Sequence, residues 1–236
     1  MKFRFLLAAS AVALTAGTAQ AATEIQWWHA MGGALGEKVD EIAAGFNATQ
    51  SDFTVVPVFK GNYTETMTAA IAGFRTGQQP HIVQVFEVGT ATMMAAEGAI
   101  YPVHQLMDDT GEAFDIDAFL PSVTGYYTTT DGDLLSMPFN SSTPVMYYNK
   151  EAFAAAGLDP DSPPKTWPEF AAALEKTQAA GTPCGFTTAW QSWVHVENFS
   201  AWHNVPIGTQ ANGFGGLDTE FMINSPAHAA HIGAMA

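Results

Sequence analysis

Between Glu24 and Glu97 the apolar pattern switches repeatedly between a strand period and a helix period, and this alternation constrains the fold more than any other feature of the chain. Glu24 to His29 (EIQWWH) is rich in β-formers and leads into Gly32, Gly33 and Gly36. Leu35, Val39, Ile42, Ala43 and Phe46 then recur at helical spacing, which predicts a helix with one apolar face. Phe53 to Phe59 (FTVVPVF) predicts a strand whose Pro57 belongs at an edge or a bulge. Met67, Ile71 and Phe74 return to helical spacing, with Gly77 as the closing residue. His81 to Phe86 predicts a third strand, and Gly89 to Glu97 a short helix. Strand, helix, strand, helix, strand is the signature of an α/β layer with mostly parallel strands.

Further along, Leu134 to Phe139 and Pro144 to Asn149 predict two more strands around the polar run Asn140 to Thr143. Asp159 to Pro164 (DPDSPP) reads as a stiff loop, and Thr166-Trp167-Pro168-Glu169 as a capping box that opens a helix through about Ala180. Ser225-Pro226 opens another helix, which reaches Ala236 with no stop signal. The expectation is an incomplete, N-terminal fragment of a longer chain. With 47% hydrophobic residues in 236, the chain has ample material for a packed core, and disorder is excluded as its overall description. A formal net charge of -15 makes nucleic acid and anionic membrane surfaces poor partners. Cys184 is the one cysteine, so no intrachain disulfide can form.

The N-terminus carries Lys2 and Arg4, an apolar run from Phe5 to Leu14, and Ala19-Gln20-Ala21 as a small-x-small cleavage site. Residues 1–21 therefore read as a secretory signal peptide, because the apolar run is well short of the roughly 20 residues a spanning helix needs. Export without a disulfide framework points to a bacterial periplasm. The chain has no G-x-S-x-G elbow, H-E-x-x-H pair or P-loop, and neither a catalytic constellation, a metal site nor a cofactor is expected. His195-Val-Glu197 and Pro183-Cys184 have the wrong order for a zinc deaminase, and the helical pair His228 and His231 reads as solvent-exposed.

Two runs, SPPKTWPEF (Ser162 to Phe170) and PFNSSTPVMYYNK (Pro138 to Lys150), resemble the extracytoplasmic solute-binding proteins of ABC importers of the maltose-binding type. Three more blocks narrow the likeness to the sn-glycerol-3-phosphate-binding members of that class. They are WWHAMGGALGEKVD (Trp27 to Asp40), the segment Lys60 to Met94, and WQSWVHVENFSAWHN (Trp190 to Asn204). The resemblance implies the α/β, two-lobe periplasmic-binding-protein fold (type II), with ligand held in a cleft that closes by a hinge motion. It places the first lobe at residues 22–140 and part of the second at 141–236. It also implies delivery to ABC permease subunits at the inner membrane, binding without catalysis, and an anion-binding arginine after Ala236.

The implied ligand is sn-glycerol-3-phosphate or its choline diester, which needs donors for the phosphate and acceptors for the hydroxyls. Tyr63 opens a predicted helix, where a phenol and helix N-terminal amides can face an anion; its alternative role is packing on the lobe surface. Glu87 follows a strand at its carboxyl end, the usual ligand end of α/β sheets, and can accept from glycerol hydroxyls. Ser142 sits where the chain would cross between lobes and can donate to phosphate. Trp190 and Trp193 can stack on the glycerol chain and attract a choline cation. Trp202 is expected in the core, Trp27, Trp28 and His29 either in the core or at the cleft edge, and Lys60 as a solvated edge charge. The rival readings are a solute-binding protein for a neutral sugar or oligosaccharide, and an exported phosphodiesterase or glycosidase. The last would need two convergent carboxylates or metal ligands.

Overall fold

The computed structural model describes residues 21–94, 96, 98–129, 131–216 and 218–235. The expected signal peptide, apart from Ala21, lies outside them. The chain divides into two compact units, one ending at Tyr101 and the other beginning at Pro102. That division falls upstream of the lobe limit expected at Asn140 and Ser141.

The first unit runs β1 (Thr23–His29), α1 (Ala34–Asn47), β2 (Phe53–Phe59), α2 (Tyr63–Thr76), β3 (Ile82–Val83) and α3 (Glu87–Met94). Its strands form a parallel sheet in the order β2-β1-β3. The hydrophobic carboxyl end of β1 takes the central position, so Trp27, Trp28 and His29 are buried, and the core choice for these three is the one realised. Pro57 pairs with Trp27 from the edge strand, where its missing N–H costs least. Trp27, Met31 and Val39 form the centre of the core, with Val55 and Tyr63 packed against it.

The helices bury a narrower stripe than the apolar spacing predicts. On α1 only Val39 and Ala43 are buried, while Leu35, Ile42 and Phe46 remain exposed. On α2 the buried row is Thr66, Ala70 and Gly73, offset from Met67, Ile71 and Phe74. Gly73 explains the offset, since a Cβ there would lie 2.9 Å from the carbonyl oxygen of Gln78, and the absent side chain lets the chain reverse tightly. Asn62 and Glu65 form a reciprocal capping box at the start of α2, with Glu65 N–H donating to Asn62 Oδ1 at 3.0 Å and Asn62 N–H to Glu65 Oε2 at 2.7 Å. Gly77 closes the helix at φ 69°. The third strand is shorter than expected. Beyond Val83 its ladder ends with Gln84, whose side chain accepts from Ala30 N–H at 3.0 Å while its own N–H donates to Trp28 O, and the chain then turns into α3.

The second unit is helical among its described residues: α4 (Val103–Thr110), a 3-10 turn (Ile116–Ala118), α5 (Pro121–Thr124), a second 3-10 turn (Gly125–Tyr127), α6 (Lys150–Ala155), α7 (Trp167–Ala179), a π-helix (Ser192–Glu197), α8 (Asn198–His203), α9 (Thr209–Asn212) and α10 (Pro226–Met235). The strands expected at Leu134 to Phe139 and Pro144 to Asn149 form no ladder; Leu134 makes one isolated bridge to Thr128. An extended segment becomes a strand only beside a partner, and among the described residues none runs alongside them. Val145, Met146 and Tyr147 are left exposed, Tyr147 at 92%. The capping box of Thr166 and Glu169 opens α7 as the sequence predicts. Ser225 caps α10, accepting from His228 N–H at 3.4 Å. His228 and His231, read as exposed, are instead buried, because α10 packs its histidine face inward.

Candidate functional site

In the second unit the chain makes an abrupt turn at Trp190, whose φ of 56° is unusual for a bulky residue. Strain of this kind gathers at functional sites. Trp190 O accepts from Val194 N–H at 2.8 Å, and the next turn is the π-helix, another feature frequent at such sites. The turn brings the two indoles to 6.4 Å between centroids in an edge-to-face arrangement at 68°. Trp190 is about half exposed.

Trp193 lines a cavity of about 530 Å³ together with Ser142, Thr143, Pro144, Glu197, Asn198, Ala201 and Trp202. Ser142 and Trp193, 51 positions apart in sequence, are thus brought to one site. The hydroxyls of Ser142 and Thr143 offer donors to this cavity, and Glu197 and Asn198 offer acceptors. Trp202 is 81% exposed and part of this lining, against its expected place in the core. The reason is a change of helical phase: the π-helix shifts the faces of the following α8, turning Ser200 inward and Trp202 out. Thr143, Glu197, Asn198 and Trp202 were not among the predicted site residues. Glu197 was signalled by its spacing of four from Trp193, which makes the two neighbours on a helical face, whereas Thr143 lies outside the helices and carried no such signal.

The other two predicted site residues belong to the first unit. Tyr63, the first residue of α2, is half-buried and stacks on Phe86 with centroids 5.3 Å apart and planes within 4°. It also packs on the Trp27, Met31 and Val39 core, so packing is part of its role. Phe86 directly precedes Glu87, the first residue of α3. The stack therefore gathers the N-termini of α2 and α3 at the carboxyl ends of β1 and β3, the ligand end of a parallel sheet. The side chain of Glu87 lies outside what the structure describes. Lys60 is engaged rather than solvated: its Nζ lies 3.8 Å above the Trp28 ring, on a separate cavity of about 670 Å³ beside α2. Among the described residues, no three of His, Cys, Asp and Glu converge on a point where a metal could bind.

The first unit is thus a parallel βαβ layer, and the second carries an aromatic-walled polar cavity. The profile of the family described as bacterial extracellular solute-binding protein matches residues 31–234, and the chain belongs to that family. It is 52% identical over 219 residues to the sn-glycerol-3-phosphate-binding periplasmic protein of Rhizobium meliloti (strain 1021), covering 92% of this chain and 51% of that one. The protein of the same name from Yersinia pestis is 54% identical over 225 residues, covering 94% and 51%. The chain thus spans about half the length of the curated relatives it matches. Among solved structures, a cyclic α-maltosyl-1,6-maltose binding protein from Arthrobacter globiformis superposes with a TM-score of 0.62 at 20% identity, covering 90% of this chain and 53% of that one. A substrate-binding protein from Listeria monocytogenes in complex with cycloalternan gives 0.61 at 18%, covering 91% and 52%. At these identities they establish the two-lobe fold alone.

Proposed function

We propose that this chain is the solute-capturing part of an ABC importer, taking up sn-glycerol-3-phosphate or its choline diester in the periplasm and passing it to permease subunits at the inner membrane. The observation that carries this reading is the cavity that joins Ser142 and Thr143 to Trp193, Trp202, Glu197 and Asn198. The two hydroxyls suit phosphate oxygens, which accept only. Glu197 would repel a phosphate but accepts well from glycerol hydroxyls, so it orients the ligand with its diol toward the π-helix. The indoles cover the carbon chain between these ends and offer their faces to a choline cation. The names carried by relatives at more than half identity support the same ligand. Tyr63 and Glu87, near the carboxyl ends of the first unit's strands, are proposed as ligand contacts of that unit.

Binding without conversion is part of the proposal, in keeping with a family of solute-binding proteins. Calorimetric titration with sn-glycerol-3-phosphate, glycerophosphocholine and maltose tests it, with the ligand recovered afterwards and assayed for products. Selective binding of the phosphate compounds, recovered intact, is expected. A preference for maltose would transfer the protein to the neutral-sugar importers, and release of glycerol or choline would make it a hydrolase.

A further inference from the structure

The cavity wall has a second side. While Trp193, Glu197, Asn198, Ala201 and Trp202 line the site, His195 and Ser200 from the same two helices are buried behind it, and Phe199 and His203 line a separate apolar cavity there. These residues meet α10. Phe199 stacks on His231 with centroids 3.9 Å apart and planes at 9°, and contacts His203 at 4.4 Å. The His195 and His231 rings are 5.8 Å apart, and Trp167 of α7 packs its edge on His231 at 4.8 Å. Four of the seven histidines in the chain thus gather behind the wall.

Hydrogen bonds set the orientation of two of these rings. Ser200 Oγ donates its one proton to Val196 O at 2.5 Å, so His228 Nε2–H donates to Ser200 Oγ at 2.8 Å. His228 Nδ1 pairs with the Ser225 hydroxyl at 2.8 Å. In the same way Thr188 Oγ1 donates to Ala189 O and accepts from His195 Nε2–H at 2.9 Å. His195 Nδ1 is buried with no hydrogen-bond partner, and His231 Nε2 is equally buried and unpartnered. A second proton on either ring would create a cation with a buried N–H that has no acceptor, in aromatic surroundings.

We infer that this histidine cluster is the positioning element of the site wall, holding Trp193, Glu197 and Trp202 in ligand-binding geometry only while its rings are neutral. The inference rests on the ligand site proposed above. The titratable groups acting on His231 are His195 beside it, His203 from α8 and His228 from α10. From α7 the neighbours are Trp167 and Phe170, and from the preceding segment Cys184, Phe186 and Thr188. Burial holds both His195 and His231 below the usual 6.5, and the neighbouring histidines add to this for His231. A histidine whose folded value is lowered stabilises the fold fully above its unfolded value and loses that contribution as pH falls through 6.5 toward the folded value. The wall is therefore expected to loosen in mild acid.

The test compares the wild-type protein with the double variant His231→Phe, His195→Gln. The phenyl keeps the stack on Phe199, and the glutamine can still donate to Thr188. Binding of sn-glycerol-3-phosphate is titrated at about pH 7.5 and about pH 5.5, a range that brackets histidine titration. Amide hydrogen exchange over residues 192–203 is followed in the absence of ligand, corrected for its intrinsic pH dependence. The ligand's own phosphate titrates in this range, so the readout is the difference between the proteins. The wild type should lose at least about tenfold more affinity than the double variant, the equivalent of one unit of pKa shift. Its 192–203 amides alone should become less protected in acid. Parallel profiles in both proteins would overturn the inference. Should the double variant fail to fold, His231→Phe alone is used, and a wild-type profile in it refutes the role of that ring. Absence of binding by wild type at pH 7.5 would instead refute the ligand reading, while the exchange profile still decides the cluster.

Discussion

Trp193→Ala removes one wall of the cavity while leaving the hydroxyl and carboxylate ends in place. In the folded protein Trp193 is half-buried, packed against Trp190 at 6.4 Å. A small ligand lying on the indole covers roughly 50 Å² of its apolar face, worth about 1.3 kcal/mol at about 25 cal/mol per Å². Direct contact with the ring adds about 0.5 to 1.5 kcal/mol. The expected loss is about 2 kcal/mol, a rise of roughly 30-fold in Kd. Isothermal titration calorimetry with sn-glycerol-3-phosphate measures it, with far-ultraviolet circular dichroism as the control for folding. Trp193→Phe, which keeps a ring, should recover most of the affinity. An unchanged Kd in a folded Trp193→Ala protein would refute the aromatic wall. Unfolding of that variant, with its residual folded fraction binding normally, would show that the indole belongs to the core.

Asn62→Ala breaks the capping box at the start of α2 and should cost about 1 kcal/mol in urea denaturation, while Asn62→Asp, which retains the acceptor, should cost a fraction of that. His29 Nδ1 accepts from Met31 N–H at 3.3 Å, and burial lowers its pKa from 6.5 against a smaller opposing pull from Asp40. Its neutral form therefore stabilises the first unit above pH 6.5, and that contribution fades as pH falls toward the folded value. Thermal melts across this range should show a shallower acid loss for His29→Gln than for wild type; coincident slopes would remove His29 from the account.

The sequence by itself determined what depends on local chemistry. The cap at Thr166 was legible because Thr followed three residues later by Glu satisfies the free amides of a helix start, whatever packs around it. Pro57 limited β2 to an edge or a bulge, of which the structure takes the edge, and Gly77 marked the end of α2. Ser142, Trp190 and Trp193 stood out through resemblance to a family, and the structure gathers Ser142 and Trp193 at one cavity with Trp190 beside it. Only the tertiary structure decided which faces are buried. Leu35, Ile42 and Phe46 carry the right spacing yet stay exposed, since burial needs an opposing surface that periodicity does not supply. The expected strands around Asn140 failed for the same reason, as a ladder requires a partner at about 4.8 Å. Trp202 left its expected place because the π-helix shifts the helical phase of α8 after it, and His228 and His231 turned inward because α10 packs that face; a local pattern read at a constant helical period registers neither.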